Sequence, residues 1–519
     1  MAGQAQKVVI IGAGIAGLAG ALRLAHAGCA VTVVEAQPAP GGKMRTLASA
    51  AGPVDAGPTV LTMAPVLDTL FDDVGLVRAD HLTLRPLDIL ARHYWSDGTR
   101  LDLSASAETS EANVAAALGA QAGREFRAFS ARAARLFAAF EAPIMTAPRP
   151  DRPAVTRQIL RRPGLIRDMA PHRTLAEALR GAFHDPRLAQ LFGRYATYVG
   201  GSPFASPALL ALIWSAEARG VWAVDGGMHR VARTLAKLAE AKGATFLYNT
   251  LALRIRRQGG RVAGVETATG YVPADAVLFN GDPRALRQGL LGGAAVAAVP
   301  EDAVEPRSLS ACVAAFAAAP SGLEIAHHTV FFADSEAAEF DALARGEVPQ
   351  DGTLYLCAQD HGTVGAGDCQ RFEIILNAPP SGGEKVDKAQ CQTRIFTRLR
   401  AFGLGFDPLP DPDTLATPET FATLFPASGG ALYGRSPHGM MAAFKRPTAR
   451  TEVPGLYLCG GGAHPGAGVP MALLSARHAA EAMLSDRISI STSRRTAMPG
   501  GMSMGSRRTE PKRSLSSGS

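Results

Sequence analysis

Apolar and polar positions repeat with two different periods along the chain, and the points where the period switches mark its elements. Residues 8–11 (Val-Val-Ile-Ile) form a continuous apolar run of strand length, the pattern of a strand buried on both faces. From Ile15 the period lengthens. Ile15, Leu18, Ala19, Leu22 and Ala25 share one side of a helix, and Gly28 supplies its stop. A second strand follows at 30–34. Between about 104 and 221 the stripes are helical, with Phe126, Phe129, Ala133, Phe137 and Phe140 on one face. Near the end, 455–459 reads as a strand and 471 to about 484 as a helix. The longest apolar run, 203–216, stops at Glu217 and Arg219, short of the ~20 residues that span a bilayer. No charged-then-apolar leader opens the chain. The expectation is a cytosolic protein whose contact with any membrane is peripheral.

The first strand runs into Gly12-Ala13-Gly14-Ile15-Ala16-Gly17. In such a turn Gly12 reverses the chain, Gly14 lets the backbone approach a pyrophosphate, and Gly17 lets helix and strand pack closely. The helix start then offers free N–H groups to the phosphates. Glu35 closes the second strand about twenty residues on, where a carboxylate can accept from ribose hydroxyls. Strand, glycines, helix and acid together predict a dinucleotide site. Two glycines and two cations follow at once: Gly41, Gly42, Lys43 and Arg45. A second glycine-rich loop, 460–470, lies between the last strand and the last helix.

Charge and cysteine usage narrow the picture. The net charge of +7 sits mostly in the tail from 487 to 519, which has seven basic residues against the single Glu510. That tail has no apolar periodicity and reads as disordered; its one expected use is attraction to anionic lipid. Six cysteines are scattered with no Cys-x-x-Cys pair, no His-x-x-x-His pair occurs, and the adjacent His327 and His328 would face opposite sides of a strand. No metal is expected. Arginines interleave with Ile159, Leu160, Leu165 and Ile166 between 149 and 173, a basic amphipathic pattern suited to a membrane surface. Aromatic content is 6% and no nucleic-acid fold signature is present, so nucleic acid is not an expected partner.

The extension Glu35-Ala36 through Gly41-Gly42-Lys43-Met44-Arg45 resembles the flavoprotein family that includes amine oxidases, carotenoid desaturases and the Rab GDP-dissociation inhibitors. The loop 460–470 resembles the C-terminal signature of bacterial phytoene desaturase-type enzymes. Asp55-Ala-Gly57-Pro58-Thr59, Gly226-Gly227-Met228 and Asn280-Gly-Asp282 resemble further segments of that family in the same order. Resemblance covers about 7–484. Three segments (52–63, 206–220 and 354–360) are similar to the desaturases of purple bacteria that act at C-3,4 of 1-hydroxycarotenoids.

The resemblance implies FAD as cofactor. Its contacts would be Gly12, Ala13, Gly14, Ile15, Ala16, Gly17, Glu35 and Ala36 on the adenosine side. Gly41, Gly42, Lys43, Met44, Arg45, Gly57, Pro58 and Thr59 would lie toward the flavin, with Gly460, Gly461, Gly462, Val469, Pro470 and Met471 closing the site. It also implies an α/β architecture: a doubly wound, discontinuous FAD-binding domain (1–103, 222–295 and 425–486), an inserted mixed-sheet substrate domain (296–424) and a helical membrane-facing lobe (104–221). The implied reaction introduces a C=C bond into an acyclic 1-hydroxy- or 1-methoxycarotenoid, with oxygen or a quinone reoxidising the flavin. Phytoene or neurosporene desaturation, carotenoid isomerisation and a non-catalytic lipid-carrier role stay open as alternatives. An amine oxidase is disfavoured because 469–471 offers no aromatic residue beside the flavin. No constellation names a base; His464, Glu217 and Arg219 are the candidates.

Overall fold

A computed structural model describes residues 5–363, 367–381 and 385–496. The expected opening elements form as read: strand Lys7–Ile11, helix Ile15–His26 and strand Ala30–Val34. The helix buries Leu18, Ala19, Leu22 and Ala25, and Gly28 follows its end at φ +77°. Lys7–Ile11 is the centre of a five-stranded parallel sheet ordered Thr245–Leu247, Ala30–Val34, Lys7–Ile11, Ala276–Phe279 and Leu456–Leu458. Three distant stretches of chain therefore build one layer. Helix Ile15–His26 packs on it together with His229–Ala241 and Val469–Thr496, giving the doubly wound domain its helical cover.

The second layer is a seven-stranded mixed sheet. Its order is Leu404–Asp407, Ser310–Gly322, Gln370–Ala378, Leu354–Ala358, His328–Phe331, Ile89–Tyr94 and Arg100–Ser104. All its pairings are antiparallel except His328–Phe331 with Ile89–Tyr94, which is parallel. This corrects one expected boundary. The hairpin 89–104 was assigned to the FAD-binding domain, yet it forms the edge of the substrate sheet. Its alternation predicts a strand, but a parallel partner more than two hundred residues away leaves no local mark.

Helices from Ala107 to Ala218 form the third lobe. In the helix Ala120–Phe140 the predicted stripe (Phe126, Phe129, Ala133, Phe137 and Phe140) is wholly buried. It packs with Phe183, Phe192, Tyr195 and Trp214 in an aromatic cluster whose ring centroids lie 4.4 to 6.1 Å apart. The last helix differs from its expectation. It starts at Val469 and continues to Thr496, ten residues into the segment read as disordered; Ser and Thr at 485–493 are ordinary helix residues once a helix is already nucleated. The rest of that tail, 497–519, lies outside the described residues.

Asp55 couples the first and second chain passes. Its carboxylate accepts from the backbone N–H groups of Met228 (2.6 Å) and His229 (3.0 Å) at the start of helix His229–Ala241. Removing that acceptor leaves two buried donors unpaired. Asp55→Ala should therefore lower unfolding stability by about 2–3 kcal/mol, measured by urea denaturation, whereas Asp55→Asn should lose less than half of that.

Candidate dinucleotide and substrate site

The glycine loops meet backbone to backbone. A Cβ on Gly17 would lie 2.1 Å from the Gly12 carbonyl oxygen and 2.7 Å from Asn280 Nδ2. Asn280, at the end of the strand Ala276–Phe279, donates to that same Gly12 oxygen at 3.1 Å. Gly42 presses on Gly14, since its Cβ would meet the Gly14 Cα at 3.1 Å, and Gly57 presses on the carbonyl of Lys43. On the C-terminal side a Cβ on Gly460 would meet Asn280 Oδ1 at 2.8 Å. Gly12, Gly14, Gly17, Gly42, Gly57 and Gly460 are thereby linked through Asn280 and Lys43.

Polar groups around this cradle suit a phosphorylated dinucleotide. Helix Ile15–His26 begins at Gly14 with no side-chain cap and no acid in its first turn, leaving its positive end free for an anion. Ala13 is buried, and Glu35 Oε2 accepts from its N–H at 2.6 Å. Oε1 of Glu35 accepts from Gln37 N–H, while Ala36 is exposed. Ile15, Ala16 and Met44 pack into the core beside the loops. Lys43 Nζ donates to the Leu432 carbonyl at 2.5 Å; burial pulls its ammonium down to about 8, against the attraction of Asp282. Arg45 has its Nε and Nη2 buried without hydrogen-bond partners and lies over the Phe421 ring. Helix Val469–Thr496 also opens without an acid in its first turn, with Val469 and Pro470 buried and Met471 partly so. Arg446, missed in the sequence, ties the returning loop down: it donates to the carbonyls of Gly461, Tyr433 and Arg435.

The three candidate bases are not brought together. His464 is buried, with Nε2 2.9 Å from the Ala147 carbonyl and its ring stacked on His478. It pins the glycine loop to the helical lobe. Glu217 accepts from Tyr195 OH and Tyr198 OH, each at 2.7 Å, inside that lobe. Arg219 turns outward, stacked over Phe137 and paired with Glu141 at 3.5 Å. Each thus has a structural partner, and proximity in sequence did not make Glu217 and Arg219 a pair.

A polar row on the substrate sheet had no counterpart in the sequence reading. His328, Cys357 and Glu373 sit opposite one another on three adjacent strands. Glu373 is fully buried; Thr59 Oγ1 donates to its Oε2 at 3.2 Å, and its Oε1 has no hydrogen-bond partner among the described residues. Thr59 Oγ1 also lies 2.8 Å from Tyr355 OH, which lies 2.8 Å from His328 Nδ1. Pro58 precedes Thr59 on the same loop. The expectation that His327 and His328 face apart is corrected. His327 precedes the strand, where a turn bonded between Ala326 and Thr329 swings it round, and the two rings lie 4.6 Å apart. Together with Cys357 they bring three ligand-type atoms within 4.8 Å of one another, a grouping that spacing along the chain could not show.

Comparison with known proteins agrees with this geometry. A family model described as flavin containing amine oxidoreductase matches residues 15–320. The chain is 55% identical to the hydroxyneurosporene desaturase of Cereibacter sphaeroides, covering 92% of this chain and 98% of that protein. It is 50% identical to the hydroxyneurosporene desaturase of Rhodobacter capsulatus, covering 93% and 98%. The 1-hydroxycarotenoid 3,4-desaturase of a Flavobacterium species is 27% identical over 92% of the chain and 98% of that protein. Among solved structures, cyclohexylamine oxidase from Brevibacterium oxydans shares the fold at a TM-score of 0.60 and 18% identity, covering 93% and 100% of the two chains. The chain therefore belongs to the flavin-containing amine oxidoreductases, as an FAD-dependent oxidoreductase of their carotenoid-desaturase branch.

Proposed function

We propose that this enzyme introduces the C-3,4 double bond into an acyclic 1-hydroxycarotenoid such as 1-hydroxyneurosporene. The observation that carries the reading is identity of 43–55% to three hydroxyneurosporene desaturases over nearly the whole chain, with every glycine of the dinucleotide cradle in place. FAD, when bound, supplies the two-electron acceptor that forming an alkene from an alkane requires. Gly12, Ala13, Gly14 and the helix start at Ile15 would hold the pyrophosphate, and Glu35 would serve the ribose. Gly42, Lys43, Arg45 and the 57–59 loop would hold the flavin side, together with Gly460–Gly462 and the helix start at Val469. The protein's remaining work is to orient a nearly featureless chain by shape and to exclude water. The reducing equivalents leave to oxygen or a quinone.

Membrane contact belongs to the same proposal. Helix Arg152–Arg161 buries none of its residues, and Leu160 is 77% exposed among Arg157, Arg161 and Arg162. Ile166 is also exposed, on the neighbouring helix Gly164–Met169. Apolar side chains ringed by cations fit an anionic bilayer surface, and a lipophilic substrate has to be drawn from one. Among the described residues no helix is long and apolar enough to cross a membrane.

Three measurements test these points. FAD-loaded protein mixed with liposomes carrying 1-hydroxyneurosporene or phytoene should convert the hydroxylated substrate, seen as a red-shifted product on chromatography. Conversion of phytoene alone would move the enzyme to the general phytoene desaturases. The double substitution Leu160→Asp with Ile166→Asp should cut co-sedimentation with anionic liposomes at least about tenfold, and unchanged sedimentation would place the membrane face elsewhere. Lys43 adds a pH dependence to cofactor affinity. Below about 8 it is charged with or without ligand, so affinity is flat. Above that value binding must take up a proton, and FAD affinity should fall by up to about tenfold per pH unit. Titration calorimetry between neutral and alkaline pH should show this slope in the wild type and its loss in Lys43→Met.

A further inference from the structure

The substrate class proposed above places a strict demand on the site. A hydroxyl on C-1 and a reacting bond at C-3,4 are separated by a single carbon. The oxygen and C-3 are three bonds apart, no more than about 4 Å. The group that recognises the hydroxyl must therefore stand beside the flavin loops, not at the remote end of a substrate channel. A buried polar group at that place needs a hydrogen-bonding partner, because an apolar neighbour would leave it unsatisfied at high cost.

Only a narrow part of the substrate sheet qualifies among the described residues. Gly42 packs on Gly14 and Gly57 packs on Lys43, so the 57–59 loop is continuous with the dinucleotide cradle. Thr59, at the end of that loop, donates to Glu373 Oε2. Glu373 lies on strand Gln370–Ala378, third of the seven, and is fully buried; the backbone of Gly57 lies against its carboxyl, and Oε1 has no hydrogen-bond partner among the described residues. Arg45, from the flavin-side loop, attracts this carboxyl and has two buried nitrogens without partners. Tyr355 holds Thr59 from the other side and is itself held by His328. The Glu217 cluster is the competing polar site, but both its oxygens are already taken by tyrosine hydroxyls.

We propose that Glu373 is a specificity-determining residue, whose free carboxyl oxygen hydrogen-bonds the C-1 hydroxyl of the substrate while Thr59 and Tyr355 fix its orientation. This rests on the 1-hydroxycarotenoid reading. Burial and the nearby Asp55 hold the Glu373 carboxyl well above the usual carboxylate range, so it acts as a neutral acid able both to donate and to accept. A neutral amide of the same shape should serve nearly as well, and a methyl-tipped side chain should not.

The test compares 1-hydroxyneurosporene with neurosporene, which lacks the hydroxyl, in wild type, Glu373→Gln, Glu373→Leu and Tyr355→Phe, all FAD-loaded and in the same liposomes. FAD content and the flavin spectrum are recorded for each variant, and KM is compared only on the FAD-loaded fraction. Glu373→Leu should raise KM for the hydroxylated substrate by about 10- to 100-fold and leave KM for neurosporene unchanged. Glu373→Gln should stay within about threefold of wild type, and Tyr355→Phe should narrow the preference for the hydroxylated substrate by a smaller factor. Equal losses on both substrates, or an unchanged preference in Glu373→Leu, would overturn the assignment of Glu373. If Glu373→Leu fails to fold, an unchanged preference in Tyr355→Phe overturns it instead. A wild type with no preference for the hydroxylated substrate would overturn the 1-hydroxycarotenoid reading itself, and this proposal with it.

Discussion

Backbone-to-backbone contact, possible only where side chains are missing, holds this molecule's site together. Gly17 against Gly12 and Gly57 against the Lys43 carbonyl leave no room for a single methyl group, and Gly42 against Gly14 leaves barely enough. Asn280 bridges the N-terminal glycine loop to Gly460 across the sheet. A parallel five-stranded sheet assembled from the beginning, middle and end of the chain would be entropically expensive to close without tight local contacts of this kind. The same absence of side chains that lets the loops meet also leaves N–H groups and helix ends facing outward, where an anionic dinucleotide can use them.

Charge is placed around that cradle sparingly. Lys43, Arg45 and Arg446 are all pulled down by burial, and each is drawn toward an oxygen: a Leu432 carbonyl, the Glu373 carboxyl, and three loop carbonyls. Cations poised in this way gain most when a phosphate or other polar partner arrives. The substrate side is mainly apolar, with one polar row, His328, Cys357 and Glu373, crossing three strands. A polyene needs shape and dryness along its length, and the hydrogen bonds of Thr59, Tyr355 and His328 keep most of this polar row satisfied within the protein.

The sequence made the dinucleotide half of this site legible and the substrate half almost not at all. Glycines, strand and acid from Val8 to Glu35 are local features, and local spacing carries their meaning. The strand read at 30–34 forms as expected, and the one read at 455–459 forms over Leu456–Leu458. By contrast Thr59 and Glu373 are 314 residues apart, and the histidine at 328 meets Cys357 only through strand register. His464 looked chemical because of its glycine-rich neighbours, yet its partner is a carbonyl 317 residues away. The hairpin 89–104 was placed in the wrong layer for the same reason: a strand's sequence reports its faces, not its neighbours. The helix that runs on to Thr496 shows the converse error, since polar composition alone does not end a helix that packing has already started.

One chain has to hold both the flavin and the carotenoid if electrons are to pass directly between them. The most direct test is anaerobic mixing of FAD-loaded protein with 1-hydroxyneurosporene in liposomes, following flavin absorbance and product together. The oxidised flavin band should bleach as the red-shifted carotenoid forms, one flavin for one new double bond, without added acceptor. Product formation with no bleaching, or an unchanged flavin and carotenoid, would contradict it.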